Sequence, residues 1–375
     1  MNIGQPRPKI TIFLPDLRGG GAERSMLNLA QGLVGCNYAV DLVVAQREGA
    51  YVNQVPAGVQ LIDLGGGQIA NGWRTVRRLP GLVRYLRRAQ PNALLSALSE
   101  ANFVALCARR VAGVPVRVVI NEQNTLSISA LDSPNRLMRM APKFVKHVYG
   151  WADSVVGVSQ GVVDDMVQVL GIPSQRARVI HNPGITPEVR AKAQAPLDHP
   201  WLQPGQPPVL LGVGRLTKQK DFPALIDAFA TVRAQRPARL LILGEGPERP
   251  LLEAQIKARG LEADVSLPGF VENPYAYMAR AKVFVLSSLW EGLPTVLVEA
   301  LYCGAGLVAT DCPSGPREIL KHGQFGCLTP VGDPQALGAA ILQTLAGQAP
   351  KAPPASWQPY TLETVVAQYS HVLLN

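Results

Sequence analysis

Several features that would place the chain in a membrane, in an oxidising compartment or around a zinc ion are missing from its sequence. None of its apolar runs approaches the roughly 20 residues needed to cross a bilayer. Its five cysteines are scattered, without a Cys-x-x-Cys pair, which indicates free thiols in a reducing cytoplasm rather than a disulfide framework or a zinc site. The polar start, Met1 to Lys9, runs directly into a predicted strand, so we do not expect a secretion signal there. These absences favour a globular protein of the cytoplasm.

Acidic residues are scarce in the first half of the chain. Residues 1–200 contain 22 lysines and arginines against 13 aspartates and glutamates, whereas residues 201–375 contain 14 of each, so the net charge of +9 belongs to the first half. This asymmetry predicts that the first half meets a negatively charged surface or ligand. Aromatic residues are not interleaved through the basic stretches, which argues against a nucleic-acid-binding protein.

The segment 73–88 concentrates this positive charge. It places six arginines beside Trp73, Tyr85 and several aliphatic residues at spacings of three and four, and Pro80-Gly81 is expected to kink or divide the helix. A basic amphipathic helix with aromatic residues is typical of an element that lies on an anionic membrane surface. An ordinary solvated helix face is the alternative. Further basic residues follow at Lys143, Lys146 and His147.

Alternation of apolar strands with amphipathic helices runs through both halves of the chain. Such alternation predicts parallel sheets with helices on both faces, and a chain of this length favours two domains. We therefore predict an α/β protein of two Rossmann-like, doubly wound domains that face each other across a cleft. The predicted domains are residues 1–185 and 209–355, and the segment 186–208, rich in Pro, Ala and Gln, is predicted to be a linker.

The stretch from Leu286 to Tyr302 is the strongest candidate for a ligand site. It follows the apolar strand 283–286 and leads into a helix predicted over 295–303, with Pro294 at its start. Glu291 lies in the loop, and Glu299 interrupts the apolar face of the helix, where a carboxylate is costly to bury unless donors meet it. The N–H groups at a helix N-terminus stabilise phosphates. The stretch therefore predicts a site for the hydroxyls, ribose and phosphates of a nucleotide sugar. The alternative is that Glu291 caps the loop and Glu299 is exposed to solvent.

A second cluster of candidates follows the strand predicted over 209–213. Arg215 comes just past the end of this strand, and Lys220 comes just before the next helix. Two fixed cations there could neutralise a diphosphate, Arg215 as a planar fork and Lys220 as a point charge. The sequence has no Asp-x-Asp motif, the usual means of holding a divalent metal for a sugar nucleotide. Cation clamping without a metal is thus the consistent interpretation.

Two loops in the first half are weaker candidates. Three successive glycines, Gly19 to Gly21, follow the strand 9–14 and would let the backbone approach a ligand closely. The loop is not a full G-x-G-x-x-G, so a dinucleotide site is disfavoured, and a plain tight turn is the alternative. The strand 117–120 ends in Asn121-Glu-Gln-Asn124, where polar groups at a cleft are candidates for contacting a reacting sugar. An exposed loop is the alternative there.

The motif Glu-Gly-Leu-Pro-Thr-x-Leu-x-Glu-Ala that starts at Glu291, with the upstream Gly-Arg-Leu…Lys, resembles the signature of family 4 glycosyltransferases of GT-B fold. The resemblance covers almost the whole chain, most densely residues 209–332. It implies a stereochemistry-retaining transferase that uses a nucleotide sugar and needs neither cofactor nor metal. The segment 311–318 resembles the sub-group that uses UDP-sugars in surface-polysaccharide or glycan assembly. The resemblance also implies a last helix, residues 356–375, that crosses back onto the first domain.

The resemblance further implies roles for individual residues. Glu291 would bind sugar hydroxyls, Glu299 the ribose, and Arg215 with Lys220 would stabilise the departing nucleotide diphosphate. Glu122, where many family members carry histidine or aspartate, is the fourth catalytic candidate. The residues expected to surround the donor are Gly20, Gly21, Gly214, Gly246, Phe270, Val271, Gly292, Leu293, Pro294, Thr295 and Glu299.

The expected partners are a nucleotide-sugar donor, a glycan or polyprenyl-diphosphate-linked acceptor, and the anionic inner face of the plasma membrane, without nucleic acid. Two other functions fit the same architecture. A UDP-sugar 2-epimerase would need no acceptor, and a non-catalytic nucleotide-sugar sensor would bind the donor without turnover.

Overall fold

A computed structural model of the protein describes residues 7–65, 75–131 and 146–375. Contacts divide the chain into two compact units. Unit 1 comprises Met1–Pro183 with Tyr360–Asn375, and unit 2 comprises Gly184–Pro359. Each unit is built on one parallel sheet with helices packed against it, as the alternation of strands and helices predicts.

The sheet of unit 1 has seven strands in the order β3-β2-β1-β4-β5-β6-β7. The strands are β1 (Lys9–Leu14), β2 (Ala39–Val44), β3 (Val59–Asp63), β4 (Ala93–Ala97), β5 (Arg117–Glu122), β6 (Ser154–Gly157) and β7 (Ala177–Val179). The first helices in the described part of the chain are α1 (Gly21–Gly35), α2 (Leu79–Ala89), α3 (Ser99–Ala112), α4 (Leu126–Leu131) and α5 (Gln160–Leu170). The central strand β1 pairs in parallel with β2 and β4, so that Ile10 lies beside Val40 and Ala93. Strands buried on both faces read as continuous apolar runs, which is why β1 and β2 were visible in the sequence.

The sheet of unit 2 has six strands in the order β10-β9-β8-β11-β12-β13. The strands are β8 (Val209–Val213), β9 (Arg239–Leu243), β10 (Val265–Gly269), β11 (Val283–Leu286), β12 (Gly306–Thr310) and β13 (Cys327–Thr329). The helices are α6 (Pro187–Gln194), α7 (Phe222–Gln235), α8 (Arg249–Ala258), α9 (Pro274–Met278), α10 (Thr295–Cys303), α11 (Pro316–Ile319) and α12 (Pro334–Leu345). The core of this unit is formed by the apolar faces of α7 and α12 against β8, β9, β11 and β12.

The segment 186–208, predicted to be a linker, contains α6 and a 3-10 turn, Pro200–Leu202. Its Val189 is buried, and Asn273 donates a hydrogen bond to the carbonyl of Lys192 at 2.9 Å, so the segment is structured within unit 2. Pro187 in the first turn and an ion pair between Glu188 and Lys192, one turn apart, are features that helices favour. The composition of the segment concealed these local signals.

The last helix, α13 (Leu362–Leu374), belongs to unit 1. Its residues Val365 and Tyr369 are fully buried in the core with residues of β1, β2, β4 and α1. Arg117 at the start of β5 donates to the carbonyl of Val372 at 2.8 Å, and Asn121 donates to the Tyr369 hydroxyl at 2.8 Å. The helix therefore completes the core of a unit whose other residues lie far upstream.

The structure describes only part of the basic segment 73–88, because Trp73 and Arg74 lie outside the described residues, as does Lys143. The described part differs from its prediction in two ways. The helix α2 begins at Leu79, which places Pro80 in the first turn, where proline is tolerated, and not in the interior. Tyr85 points inward, because its hydroxyl donates to Asp41 at 2.7 Å and lies 2.7 Å from the Thr11 hydroxyl. The tyrosine is thus not part of the arginine face of this helix. None of the described helices is long and apolar enough to cross a membrane.

Candidate active site

The candidate site of unit 2 lies where the neighbouring strands β8 and β11 end. The sheet is extended by β9 and β10 on one side of this pair and by β12 and β13 on the other. In doubly wound sheets, the loops after such a pair of strands form the ligand-binding crevice. Here they are residues 214–221 and 287–294. These loops contain seven of the fifteen candidate residues that the sequence predicts.

Lys220 and Glu291 form an ion pair in these loops. The distance from Lys220 Nζ to Glu291 Oε1 is 2.6 Å, and the two side chains are only 16% and 8% exposed. Ser288 donates a second hydrogen bond to the same carboxylate oxygen at 2.7 Å. The sequence predicts both residues of the pair but assigns them to different parts of the donor. The structure brings them into direct contact.

The second carboxylate oxygen of Glu291, Oε2, has no hydrogen-bond partner among the described residues, and Lys220 uses one of its three donors on Oε1. A carboxylate oxygen of this kind accepts hydrogen bonds from hydroxyl groups, and an ammonium group has donors left for an anion. The pair can therefore bind a hydroxyl-bearing ligand and a negative charge at the same place.

Hydrogen bonds between the two loops hold this pair in position. Ser287 donates to the carbonyl of Lys220 at 2.7 Å, and Gln219 donates to the carbonyl of Trp290 at 2.8 Å. The N–H of Glu291 donates to the carbonyl of Pro313 at 3.0 Å, which ties in the loop after β12. Sequence reasoning missed Gln219, Ser287 and Ser288 because it considered the charged residues alone. Two serines directly after a buried strand were the available signal.

Arg215 supplies a second cation on the loop after β8. Its side chain is exposed and forms no ion pair or side-chain hydrogen bond with any residue that the structure describes. Gly214 precedes it, and a Cβ on Gly214 would lie 3.1 Å from Cε of Lys220. A larger residue there would press on the lysine stem. The loop thus presents one paired and one unpaired cation, both of which can donate hydrogen bonds to an anion.

The N-terminus of α10 lies directly after the Glu291 loop. Gly292, Leu293 and Pro294 are buried, and none of the side chains that the structure describes caps the helix. The first N–H groups of a helix have no partner within it and attract anions. Thr295 is the first helical residue and is partly exposed. The four residues predicted around the phosphates therefore lie at a helix end that is suited to this role.

Glu299 lies one turn further along α10 and is partly buried. The hydroxyl of Tyr275, from α9, donates to its Oε1 at 3.5 Å. Glu299 therefore has the donor that a half-buried carboxylate needs, and its assignment to a ribose stays a prediction.

The loops after β9 and β10 contain the remaining candidates of unit 2. A Cβ on Gly246, in the loop after β9, would lie 2.3 Å from the carbonyl oxygen of Leu216, in the loop after β8, so only glycine allows those two loops to approach. Phe270 is 74% exposed, and Val271 is partly buried. Glu248, which sequence reasoning missed, has its Oε2 buried without a hydrogen-bond partner in the described part of the chain.

In unit 1, Gly20 and Gly21 lie at the N-terminus of α1. Gly20 precedes the helix, and Gly21 is its first residue. A Cβ on Gly20 would lie 2.4 Å from the carboxylate of Glu23, which folds back over this helix end. A negative charge near a helix N-terminus is stabilising. The carboxylate of Glu23 therefore lies at the helix end where the sequence predicts that the nucleotide-sugar donor binds.

Glu122 is buried, with 1% exposure, although the sequence suggests a loop here. Asn102 donates to its Oε1 at 2.9 Å, Ser99 donates to its Oε2 at 3.0 Å, and Tyr149 also donates to Oε1. Burial raises the pKa of Glu122 to about 7. Both oxygens are thus occupied by the protein. The geometry suits a group that holds β5 and α3 together, and a direct catalytic role stays a prediction.

Charged residues that sequence reasoning missed follow β1 and β4, the neighbouring central strands of unit 1. Arg18 pairs with Asp16 at 2.8 Å in the loop after β1. Glu100, in the first turn of α3, accepts a hydrogen bond from Thr75 at 3.2 Å, and burial raises its pKa. Leu98 before it has a φ of 78°, which is unusual for a residue other than glycine. Charged residues within four positions of the end of a buried strand were the available signal here.

Both halves of the chain match family models. Residues 196–360 match the model of glycosyl transferases group 1, and residues 19–185 match that of Glycosyltransferase Family 4. An N-acetylgalactosamine-N,N'-diacetylbacillosaminyl-diphospho-undecaprenol 4-alpha-N-acetylgalactosaminyltransferase of Campylobacter jejuni is 31% identical over 335 residues, which is 88% of this chain and 88% of that protein. The chain belongs to the family 4 glycosyltransferases. It is a transferase enzyme, as the motif at Glu291 predicts.

Further relatives of this family 4 glycosyltransferase agree in fold and in length. A second Campylobacter jejuni protein, a GalNAc-alpha-(1->4)-GalNAc-alpha-(1->3)-diNAcBac-PP-undecaprenol alpha-1,4-N-acetyl-D-galactosaminyltransferase, is 24% identical over 89% of this chain and 88% of its own. The crystal structure of HepE from Anabaena in complex with UDP and glucose superposes with a TM-score of 0.78 over 98% of this chain and 99% of that chain, at 22% identity. At this identity the likeness concerns the fold alone. The prediction of a GT-B fold with two parallel-sheet domains is confirmed.

In this family 4 glycosyltransferase, the described residues contain no group of three or more histidines, cysteines, aspartates or glutamates that could hold a metal ion. The metal independence implied by the resemblance stays a prediction.

Proposed function

We propose that this family 4 glycosyltransferase moves a hexose or N-acetylhexosamine from a UDP-sugar to a glycan on a polyprenyl diphosphate, with retention of configuration and without a metal ion. The enzyme would act in surface-polysaccharide or glycan assembly at the cytoplasmic face of the plasma membrane. The observation that carries the proposal is the Lys220–Glu291 ion pair at the ends of β8 and β11, with Arg215 beside it.

The names of relatives support the acceptor and the stereochemistry. Both Campylobacter proteins are named for acceptors linked to undecaprenol through a diphosphate, and both are named for forming alpha linkages. Because UDP-hexoses carry an α-linked sugar, an alpha product means retention. HepE was solved with UDP and glucose, which supports a UDP-linked donor.

The geometry of unit 2 supports a place for each part of the donor. Glu291 Oε2 would accept hydrogen bonds from sugar hydroxyls, because Oε1 is already held by Lys220 and Ser288. The N-terminus of α10 would bind phosphate oxygens, and Glu299 would accept hydrogen bonds from the ribose hydroxyls. These contacts orient the sugar and hold its anomeric carbon in a fixed position, which is a large part of what a transferase must supply.

Charge development at the leaving group is the main problem of the reaction. The bond between the anomeric carbon and the β-phosphate oxygen breaks, the acceptor hydroxyl forms the new bond, and its proton passes to the departing diphosphate. UDP leaves with the electron pair of the broken bond. Arg215 and the remaining donors of Lys220 would stabilise this growing negative charge, which is most effective in a partly buried site.

A donor screen tests the proposal. The enzyme is incubated with UDP-, GDP- and ADP-sugars and a polyprenyl-diphosphate glycan, in chelator and without metal, and nucleotide diphosphate release and product configuration are measured. We expect turnover with one UDP-sugar and an α-configured product. Turnover that requires metal, a non-UDP donor or a β-configured product would overturn the corresponding part of the proposal. Free epimer from donor alone would indicate the epimerase, and tight UDP binding without turnover the sensor.

A further inference from the structure

Unit 1 carries an exposed surface that is both basic and apolar. We define this α2–α3 surface by the outer face of α2 with the 3-10 turn before it, the C-terminal end of α3, and the loop before β6. Its members are Arg77, Arg84, Arg88, Arg110, Val111 and Trp151. Val111 is 56% exposed, and Trp151 is 38% exposed. The guanidinium of Arg110 lies over the Trp151 ring, 5.5 Å from its centroid. A groove of about 630 Å³ is lined by α2 and Val111.

Some arginines of this region are explained by the fold itself. Arg87 donates to the carbonyls of Val111 at 2.8 Å and Ala112 at 3.1 Å, which are among the last carbonyls of α3. Such carbonyls have no partner within their helix, so the arginine satisfies them. Arg109 donates to the carbonyl of Trp151 at 2.9 Å and pairs with Asp153 at 3.3 Å. These two arginines stabilise the end of α3.

Arg84 and Arg88 have no such explanation. Both are exposed, and neither side chain forms an ion pair or hydrogen bond with any residue in the described ranges. They lie one turn apart on α2, which contains no acidic residue. Like charges at this spacing destabilise a helix by a few tenths of a kcal/mol. Arg77 continues the same stripe toward the start of the helix. These three exposed arginines therefore form a stripe of positive charge on one face.

The apolar residues decide what this face binds. Apolar lining residues of the groove, Leu79, Val83 and Val111, lie beside Arg84 and Arg88. Arginines combined with an exposed tryptophan and an aliphatic side chain match the headgroup region of an anionic bilayer, where charge and apolar surface meet within a few ångströms. A soluble polyanion would use the charges but would leave Val111 and Trp151 without a role.

We propose that the α2–α3 surface binds unit 1 to an anionic phospholipid bilayer. Arg84 and Arg88 contact headgroup phosphates, and Val111 and Trp151 enter the interfacial region. This inference deepens the proposed function, because it gives the transferase a contact with the membrane that would hold a lipid-linked acceptor. It differs from the sequence prediction in its apolar contacts: Tyr85 is turned inward, and Val111 and Trp151 take its place.

Vesicle sedimentation tests the proposal on the full chain. Wild-type protein should bind phosphatidylglycerol-containing vesicles, bind pure phosphatidylcholine vesicles far less, and be released by added salt. Each arginine near an anionic surface strengthens binding about fivefold, so the Arg84→Gln/Arg88→Gln variant should bind about 25-fold more weakly. Trp151→Ala should weaken binding as well. The matched control, Lys257→Gln/Lys351→Gln, removes the same charge from exposed positions of unit 2 and should bind like the wild type.

Three results would overturn the proposal. They are equal binding by wild type and the arginine variant, equal loss in the lysine control, and no binding of wild type to anionic vesicles. If the wild type binds an acidic protein but does not bind anionic vesicles, the proposal is overturned as well. The assay contains neither donor nor acceptor, and UDP binding to the same preparation is measured separately by calorimetry. Failure of the surface and failure of the transferase proposal are therefore distinguishable.

Discussion

Replacement of Lys220 by methionine tests the candidate active site most directly. Methionine keeps most of the length of the side chain and removes its charge. Glu291 then loses the donor at 2.6 Å and keeps Ser288 as the only described donor on Oε1. We expect the variant to lose far more activity than stability, because the carboxylate stays hydrogen-bonded while the diphosphate loses a fixed cation.

The expected magnitudes follow from the burial of the pair. With side chains 16% and 8% exposed, the pair is not the solvated type that contributes little. Removing one partner of a buried charged hydrogen bond leaves the other partner unsatisfied and costs about 1–3 kcal/mol of folding stability. Removing one preorganised group that stabilises transition-state charge lowers kcat about 100- to 1,000-fold, which is about 2.7–4 kcal/mol. Activity should therefore fall to about 0.1–1% of the wild-type value while the protein remains folded.

The assay measures UDP release at saturating donor and acceptor, and urea unfolding of the same preparations. Lys218→Met is the matched control, since Lys218 lies on the same 3-10 turn, is exposed, and does not contact Glu291. Equal activity of the two variants would refute the role of Lys220. A double variant with Glu291→Gln should lose less than the product of the two single losses, because the two residues share one interaction.

Two further outcomes follow from buried titratable groups. Because burial raises the pKa of Glu122 from 4.5 to about 7, the stability it contributes is complete below pH 4.5 and is lost by about pH 7, a fall of about 3 kcal/mol. Urea unfolding across this range should show the fall in wild type and not in Glu122→Gln; parallel curves would contradict it. Burial, with the charge of Glu299, raises the pKa of the Cys303 thiol to about 12, whereas Cys36 is exposed. Iodoacetamide should therefore label Cys36 first at mildly alkaline pH, and equal labelling of the folded protein by mass spectrometry would contradict the burial argument.

Local patterns predicted the elements around the site well. The strand predicted over 209–213 and the helix predicted over 295–303 have those bounds in the structure. Ser159 directly precedes α5, and its hydroxyl accepts a hydrogen bond from the N–H of Val162 at 3.4 Å. Apolar runs, proline in first turns and serine before helices act within a few residues, so they can be read without knowing the rest of the fold.

Contacts between distant segments could not be predicted in this way. Lys220 and Glu291 are 71 positions apart, and their pairing depends on β8 and β11 being neighbours in the sheet. Glu122 was taken from a polar stretch that suggested a loop. It is buried because Asn102 and Tyr149 bring hydrogen bonds to it from separate segments. Polar residues are mostly exposed, and the exceptions are set by partners that a local window does not contain.

The place of α13 in unit 1 has a consequence for how the protein is made. Unit 1 needs residues 360–375 for its core, but the 176 residues from Gly184 to Pro359 are synthesised in between. At about 5–20 residues per second, ribosomes take roughly 10–35 s over that interval. During this time the apolar surface that Val365 and Tyr369 cover stays exposed to solvent, while unit 2 can already fold. The unit that begins translation first is thus the last to finish folding, and its nascent apolar surface is the part of this enzyme most in need of a chaperone.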